Sequence, residues 1–159
     1  MRFRVLRLRA QMSAAERKAR VLILCTGNSA RSQMAEGLLR YLGGTRYEVF
    51  SAGTKPSGVN PLAIEAMRES GIDISAQRSK SVAELTGDTF QTVITVCDNA
   101  AAECPVFPGV PDQVHWSLAD PAAVSGTREE KLAAFRRVRD ELESRIRFFV
   151  GSAETAVPR

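Results

Sequence analysis

Arg20-Val-Leu-Ile-Leu24, Cys25-Thr-Gly-Asn-Ser-Ala-Arg-Ser32 and the run from Gln33 to Gly44 read in succession as strand, loop and helix. Val21–Leu24 is continuously apolar, which suits a short strand buried on both faces. Met34, Leu38, Leu39 and Leu42 recur at helical spacing, and Gly43-Gly44 close the helix. Between the two, Gly27 and Asn28 tolerate the positive φ values that turn successive backbone N–H groups inward. A concave set of amides backed by a helix N-terminus binds a tetrahedral oxyanion. The binding residues expected from this are Thr26, Gly27, Asn28, Ser29, Ala30, Arg31 and Ser32. Arg31 adds a planar fork for two anion oxygens, and Ser32 can donate a hydrogen bond to sulfur. The same field favours a thiolate: helix N-termini and cationic neighbours bring a thiol from a pKa near ~8.5 into the ~3.5–7.5 range. Cys25 is thus expected to be a nucleophile beneath a bound anion. The bare Cys-x5-Arg spacing is weak evidence, since chance supplies about 0.3 matches in this composition; the strand and helix around it carry the reading.

Outward from this unit the alternation continues. Tyr47–Ser51 is a strand ended by Gly53. Asn60 caps a helix with Pro61 at its first position, and Gly71 stops it. Thr92–Val96 is a β-branched buried strand, and Gln113–Leu118 a fourth. Thr127-Arg-Glu-Glu130 is a capping box. It opens a helix with Leu132, Phe135, Val138, Leu142, Ile146 and Phe149 along one face. Strands alternating with helices predict an α/β fold: one three-layer domain, a four-stranded mainly parallel sheet of order 2-1-3-4, and helices on both faces. Right-handed crossovers then put the C-terminal strand ends on one edge, where such sheets bind ligands. Cys25 and Cys97 follow strands directly, Asp120 comes just after the fourth strand, and all three are expected at that edge.

The 159 residues fit one domain, here residues 20–150, preceded by a basic extension over 1–19, expected to be poorly ordered, and followed by a tail over 151–159. Met12 is a possible alternative start. Net charge is +4, but residues 1–20 hold seven basic residues and one acid, so the remaining 139 sum to −2. That distribution, with no interleaving of aromatic and basic residues, argues against a nucleic-acid face. No stretch approaches the roughly 18 apolar residues of a membrane span, and no signal peptide is visible; a cytoplasmic protein that works as a monomer is expected. Three cysteines are too few for a secreted disulfide framework. They also lack zinc-site spacing, and His115 is not placed to join them, so no metal is expected. His115 and Trp116 alternate along a strand and read as packing residues.

CTGNSARSQMAE (Cys25–Glu36), SAGT (Ser51–Thr54), GIDIS (Gly71–Ser75), TVCDNAAAECP (Thr95–Pro105) and HWSLADP (His115–Pro121) resemble the thioredoxin-coupled arsenate reductases. That family has the fold of the low-molecular-weight protein tyrosine phosphatases, and the resemblance spans roughly residues 20–150. It implies reduction of arsenate to arsenite in arsenic detoxification, with Cys25, Arg31, Cys97, Cys104 and Asp120 as the catalytic set. Cys25 would attack arsenate, Cys97 would attack Cys25 and release arsenite, and Cys104 would attack Cys97. The resulting Cys97–Cys104 disulfide would be reduced by thioredoxin, or by glutaredoxin or a low-molecular-weight thiol, with no tightly bound cofactor. Phosphate and sulfate would compete for the loop. A disulfide needs Cα atoms within about 7 Å, whereas seven residues of helix span about 10 Å, so Asp98–Glu103 is expected to rearrange on oxidation.

The anion loop alone does not separate this chemistry from phosphate-ester hydrolysis. Arsenic(V) takes two electrons from thiols and phosphorus does not, so the extra cysteines favour reduction. Departures from the phosphatase pattern point the same way: Ala30 stands where phosphatases of this fold carry a second cysteine, and Ala122-Ala123-Val124 replaces aromatics after the Asp-Pro. Some relatives bind potassium through positions matching Asn28, Glu36 and Ser51 plus a carboxylate near position 80. Lys80 stands there, so no potassium requirement is expected. A tyrosine phosphatase and a non-enzymatic oxyanion or redox sensor are the alternative readings.

Overall fold

The computed structural model describes residues 17–96 and 109–155. Four strands, β1 (Ala19–Cys25), β2 (Tyr47–Gly53), β3 (Thr92–Thr95) and β4 (Asp112–His115), form one sheet of order β2-β1-β3-β4. Every pairing is parallel: Cys25 lies opposite Gly53, Leu24 opposite Thr95, and Thr95 opposite His115. The strand ends therefore arrive together at one edge.

Among the described residues, three α-helices follow in chain order: α1 (Arg31–Gly43), α2 (Pro61–Glu69) and α3 (Arg128–Thr155). Asn60 accepts a hydrogen bond from Leu62 N–H and Pro61 occupies the first turn of α2. At the start of α3, Glu130 N–H donates to Thr127 Oγ1 and the Thr127 hydroxyl donates to Glu130 Oε1. All three helices contribute to one core with Val21, Ile23 and Ile94 of the sheet and Trp116 just after β4. Leu22, Leu24 and Val93 point the other way, into a second cluster with Val82, Leu85 and Phe90. Val21 to Leu24 are at most 2% exposed, as a central strand covered on both faces must be. Helices thus cover one face; on the other, among the described residues, the cover is the 3-10 turn Val82–Leu85 with its neighbours.

Two boundaries differ from the sequence reading, at β4 and α3, while Arg20 is a buried residue of β1, the strand it was expected to open. Its guanidinium donates to Thr89 O and Glu48 Oε1 and lies over the rings of Phe50 and Phe90. β4 ends at His115 instead of Leu118, because its single neighbour β3 ends at Thr95; the last bond of the ladder runs from Trp116 N–H to Thr95 O. Gly151 does not stop α3, which keeps its helical backbone to Thr155. The expectation for Asp98–Glu103, and most of the 1–19 extension, lie outside the described residues.

Candidate active site

The loop from Cys25 to Ala30 joins β1 to α1 at the C-terminal edge of the sheet. Four of its carbonyls are engaged from outside the loop. Lys55 N–H donates to Thr26 O, Ser57 N–H to Gly27 O, Gln33 Nε2 to Asn28 O and Asn60 N–H to Ser29 O. Ala30 O accepts from Met34 N–H as the first bond of the helix. A planar peptide that turns its carbonyl out turns the next N–H in, so the loop amides face one concavity. Asn28 holds φ +43°, the left-handed geometry that such a reversal requires of one residue. Ala30 brings no capping side chain to α1, which leaves the positive end of the helix to the loop.

Cys25 is 3% exposed. Its Sγ accepts from Asn28 N–H at 3.2 Å and lies 2.9 Å from Ser32 Oγ. The direction of the second contact follows from Asn28. Gln33 Nε2 and Lys80 N–H both donate to Asn28 Oδ1, which identifies Nδ2 as the donor to Ser32 Oγ (2.8 Å) and Ser51 Oγ (2.9 Å). Ser32 thus accepts from Asn28 and turns its proton to sulfur, while Ser51 turns its proton to Glu36 Oε1 at 3.0 Å. Two donors aimed at Sγ suit a thiolate.

The polar chain ends at Glu36, a carboxylate 2% exposed. Lys80 Nζ lies 3.7 Å from its Oε1 and Arg40 Nη1 3.7 Å from its Oε2. Burial pushes the Lys80 ammonium below its ordinary pKa, against the attraction of Glu36, and the neighbouring Arg78 and Arg40 push it the same way as burial. Lys80 thus stands beside Asn28 and Glu36. Among the described residues no cluster of His, Cys, Asp and Glu is arranged to hold a metal ion.

Arg31 opens α1 and reaches across to the segment after β4. Its Nη1 donates to Leu118 O at 2.9 Å and its Nη2 lies 3.8 Å from Asp120 Oδ2. Asp120 in turn accepts from Ala122 N–H and caps the short Pro121–Ala123 turn. Cys25, Arg31 and Asp120 are therefore gathered at one edge; Cys97 and Cys104 lie outside the described residues. Sequence reasoning missed the outer layer: Gln33, Ser57, Asn60 and Ser79, which hold the loop by its carbonyls. Gln33 is 0% exposed in a helical turn that also buries Ser32 and Glu36, and nothing in the sequence spacing marked it.

The family described as low molecular weight phosphotyrosine protein phosphatase matches residues 20–157. An arsenate reductase of Halalkalibacterium halodurans is 49% identical over 129 residues, which is 81% of this chain and 93% of that protein. Among solved structures, an arsenate reductase in the phosphate binding state superposes with TM-score 0.70 at 34% identity, covering 84% of this chain and 98% of that one. A thioredoxin-dependent arsenate reductase of Corynebacterium glutamicum gives TM-score 0.71 at 26% identity, covering 94% of this chain and 67% of its own. In the described residues no helix is long and apolar enough to cross a membrane. With the Cys25–Ala30 loop, the parallel sheet and these relatives in agreement, the chain belongs to the low molecular weight phosphotyrosine protein phosphatase family, among relatives that are arsenate reductases.

Proposed function

We propose that this protein reduces arsenate to arsenite in the cytoplasm, with Cys25 as nucleophile and Cys97 and Cys104 as the relay. The observation that carries the reading is the Cys25 sulfur, held by two donors at the floor of an amide cradle, in a chain with two further cysteines and close relatives named for arsenate reduction. Thr26 to Ser32 bind the tetrahedral anion through backbone N–H groups and the Arg31 fork. The Cys25 thiolate attacks arsenic, a sulfur–arsenic bond forms, and an oxygen leaves as water. Asp120, beside Arg31, supplies or receives the protons that move. Cys97 thiolate then attacks Cys25 Sγ. The sulfur–arsenic bond breaks with its electron pair on arsenic, and arsenite departs as the Cys25–Cys97 disulfide forms. Cys104 attacks Cys97 and frees Cys25. A thiol donor, thioredoxin in the first instance, reduces the Cys97–Cys104 disulfide; two thiols are oxidised for each arsenic reduced.

The Cys104→Ser variant tests this sequence. In the presence of arsenate and an external dithiol it should release about one equivalent of arsenite and stall. Peptide mapping should find Cys25 joined to Cys97. Continued turnover, or thiols still reduced after arsenate, defeats the relay. The family match and a relative captured with phosphate favour one second reading, hydrolysis of phosphate monoesters, which predicts turnover of an aryl phosphate that needs neither Cys97 nor Cys104.

A further inference from the structure

The Gly27–Asn28 peptide carries two opposed groups. Its N–H donates to Cys25 Sγ at 3.2 Å. Its carbonyl is gripped by Ser57 N–H at 3.0 Å, by Ser79 Oγ at 3.2 Å and by Ser57 Oγ at 3.5 Å. Because the unit is planar, whatever fixes the carbonyl aims the N–H. Ser79 is itself held on both sides. Gln33 Nε2 donates to Arg78 O, Lys80 N–H donates to Asn28 Oδ1, and Gly53 N–H donates to Lys80 O. The Ser79 hydroxyl thus comes from a stretch tied to β2, to α1 and to Asn28, 52 residues away from the carbonyl it holds.

We propose that Ser79 is a positioning residue for the nucleophile: its hydroxyl locks the Gly27–Asn28 peptide with the Asn28 N–H on the Cys25 sulfur. The proposal rests on Cys25 being the nucleophile. Ser79 touches no reacting atom and acts through the peptide. Without the hydroxyl the plane can rock, the N–H···S bond weakens, and the thiolate loses one of its two donors. Ser57 N–H remains and limits the damage. The Ser57 hydroxyl, longer and exposed, matters less than that of Ser79.

Alkylation of the full-length protein by iodoacetamide, followed at Cys25 alone by peptide mass mapping from pH 5 to 9.5, tests this. Ser79→Ala should slow Cys25 alkylation at neutral pH about fivefold, the worth of one net hydrogen bond. The deficit should close toward the alkaline end, where the thiolate forms without help. Ser79→Thr, which keeps the hydroxyl, should restore the native profile, and Ser57→Ala should stay within about twofold of it. A Ser79→Ala profile identical to the native one overturns the proposal. So does a deficit that is equal at every pH and accompanied by a lowered unfolding midpoint, since that describes a merely structural residue. If native Cys25 itself alkylates at pH 6 no faster than an unperturbed thiol, the reading of Cys25 as nucleophile fails, and the role of Ser79 with it.

Discussion

Asn28 is where the site's hydrogen bonds acquire direction. All four of its side-chain valences are used: two acceptor contacts identify the oxygen, and the two amide protons go to Ser32 and Ser51. Remove those protons and both hydroxyls can turn. Asn28→Asp does so at almost constant volume. The Ser32 proton then has a carboxylate oxygen to go to in place of Cys25 Sγ, and a second buried carboxylate enters near Glu36. The expected outcome is a loss of roughly tenfold or more in arsenate reduction and in Cys25 alkylation at neutral pH. Stability should fall by about 1–3 kcal/mol, from buried groups left imperfectly paired. Steady-state kinetics beside a urea titration measure both. A variant with native rates would mean that the direction of this network is irrelevant to the sulfur.

At the scale of elements, the end of β2 serves as a wall for the Cys25–Ala30 loop. A Cβ on Gly53 would stand 2.5 Å from Thr26 O and 2.8 Å from Asn28 N, both backbone atoms of the loop. Gly37 in α1 is equally tight, but what a Cβ meets there is the Cγ2 of Ile74 at 2.5 Å, a side-chain end. Gly53→Ala should therefore displace the loop and weaken phosphate binding, measured calorimetrically, by about tenfold or more. Gly37→Ala should cost about 1–3 kcal/mol of stability and leave phosphate affinity within about twofold. Equal phosphate affinities in the two variants would contradict this division. The elements were legible in the sequence wherever one period ran long enough: Val21–Leu24, the Leu132-to-Phe149 stripe, and the Asn60-Pro61 start of α2. Ends set by a neighbour were not, since β4 stops where β3 stops. The grip on Gly27, Asn28 and Ser29 was not legible either. Ser57, Asn60 and Ser79 sit in irregular segments without periodicity, and their partners lie tens of residues away.

For the whole molecule, the parallel 2-1-3-4 order brings together groups that chain distance separates. The Cys25 loop, Gly53 and the Asp120 turn meet at one sheet edge, and behind the loop Lys80 meets Glu36 and Arg40. The Cys25 loop, its arginine and their place at the sheet edge were readable from one local strand–loop–helix unit; the charge balance behind the loop needed the folded chain. Lys80 supplies a fixed cation at the buried carboxylate, so a mobile one adds little. Initial rates in potassium and sodium chloride at equal ionic strength should agree within about twofold. Strong activation by potassium alone would show that the ammonium does not serve in this role. The same lysine leaves a mark on stability. Its pKa is lowered on folding, chiefly by burial, so between that lowered value and the ordinary 10.5 the unfolded chain binds more protons than the folded one. Stability contributed at this position therefore rises with pH across that window. Unfolding free energies of the native protein and of Lys80→Met, compared at pH 7 and again just below 10.5, cancel the other alkaline titrations. The native protein should gain on the variant as pH rises. If it instead loses ground, the ammonium is stabilised by Glu36 more than burial disfavours it.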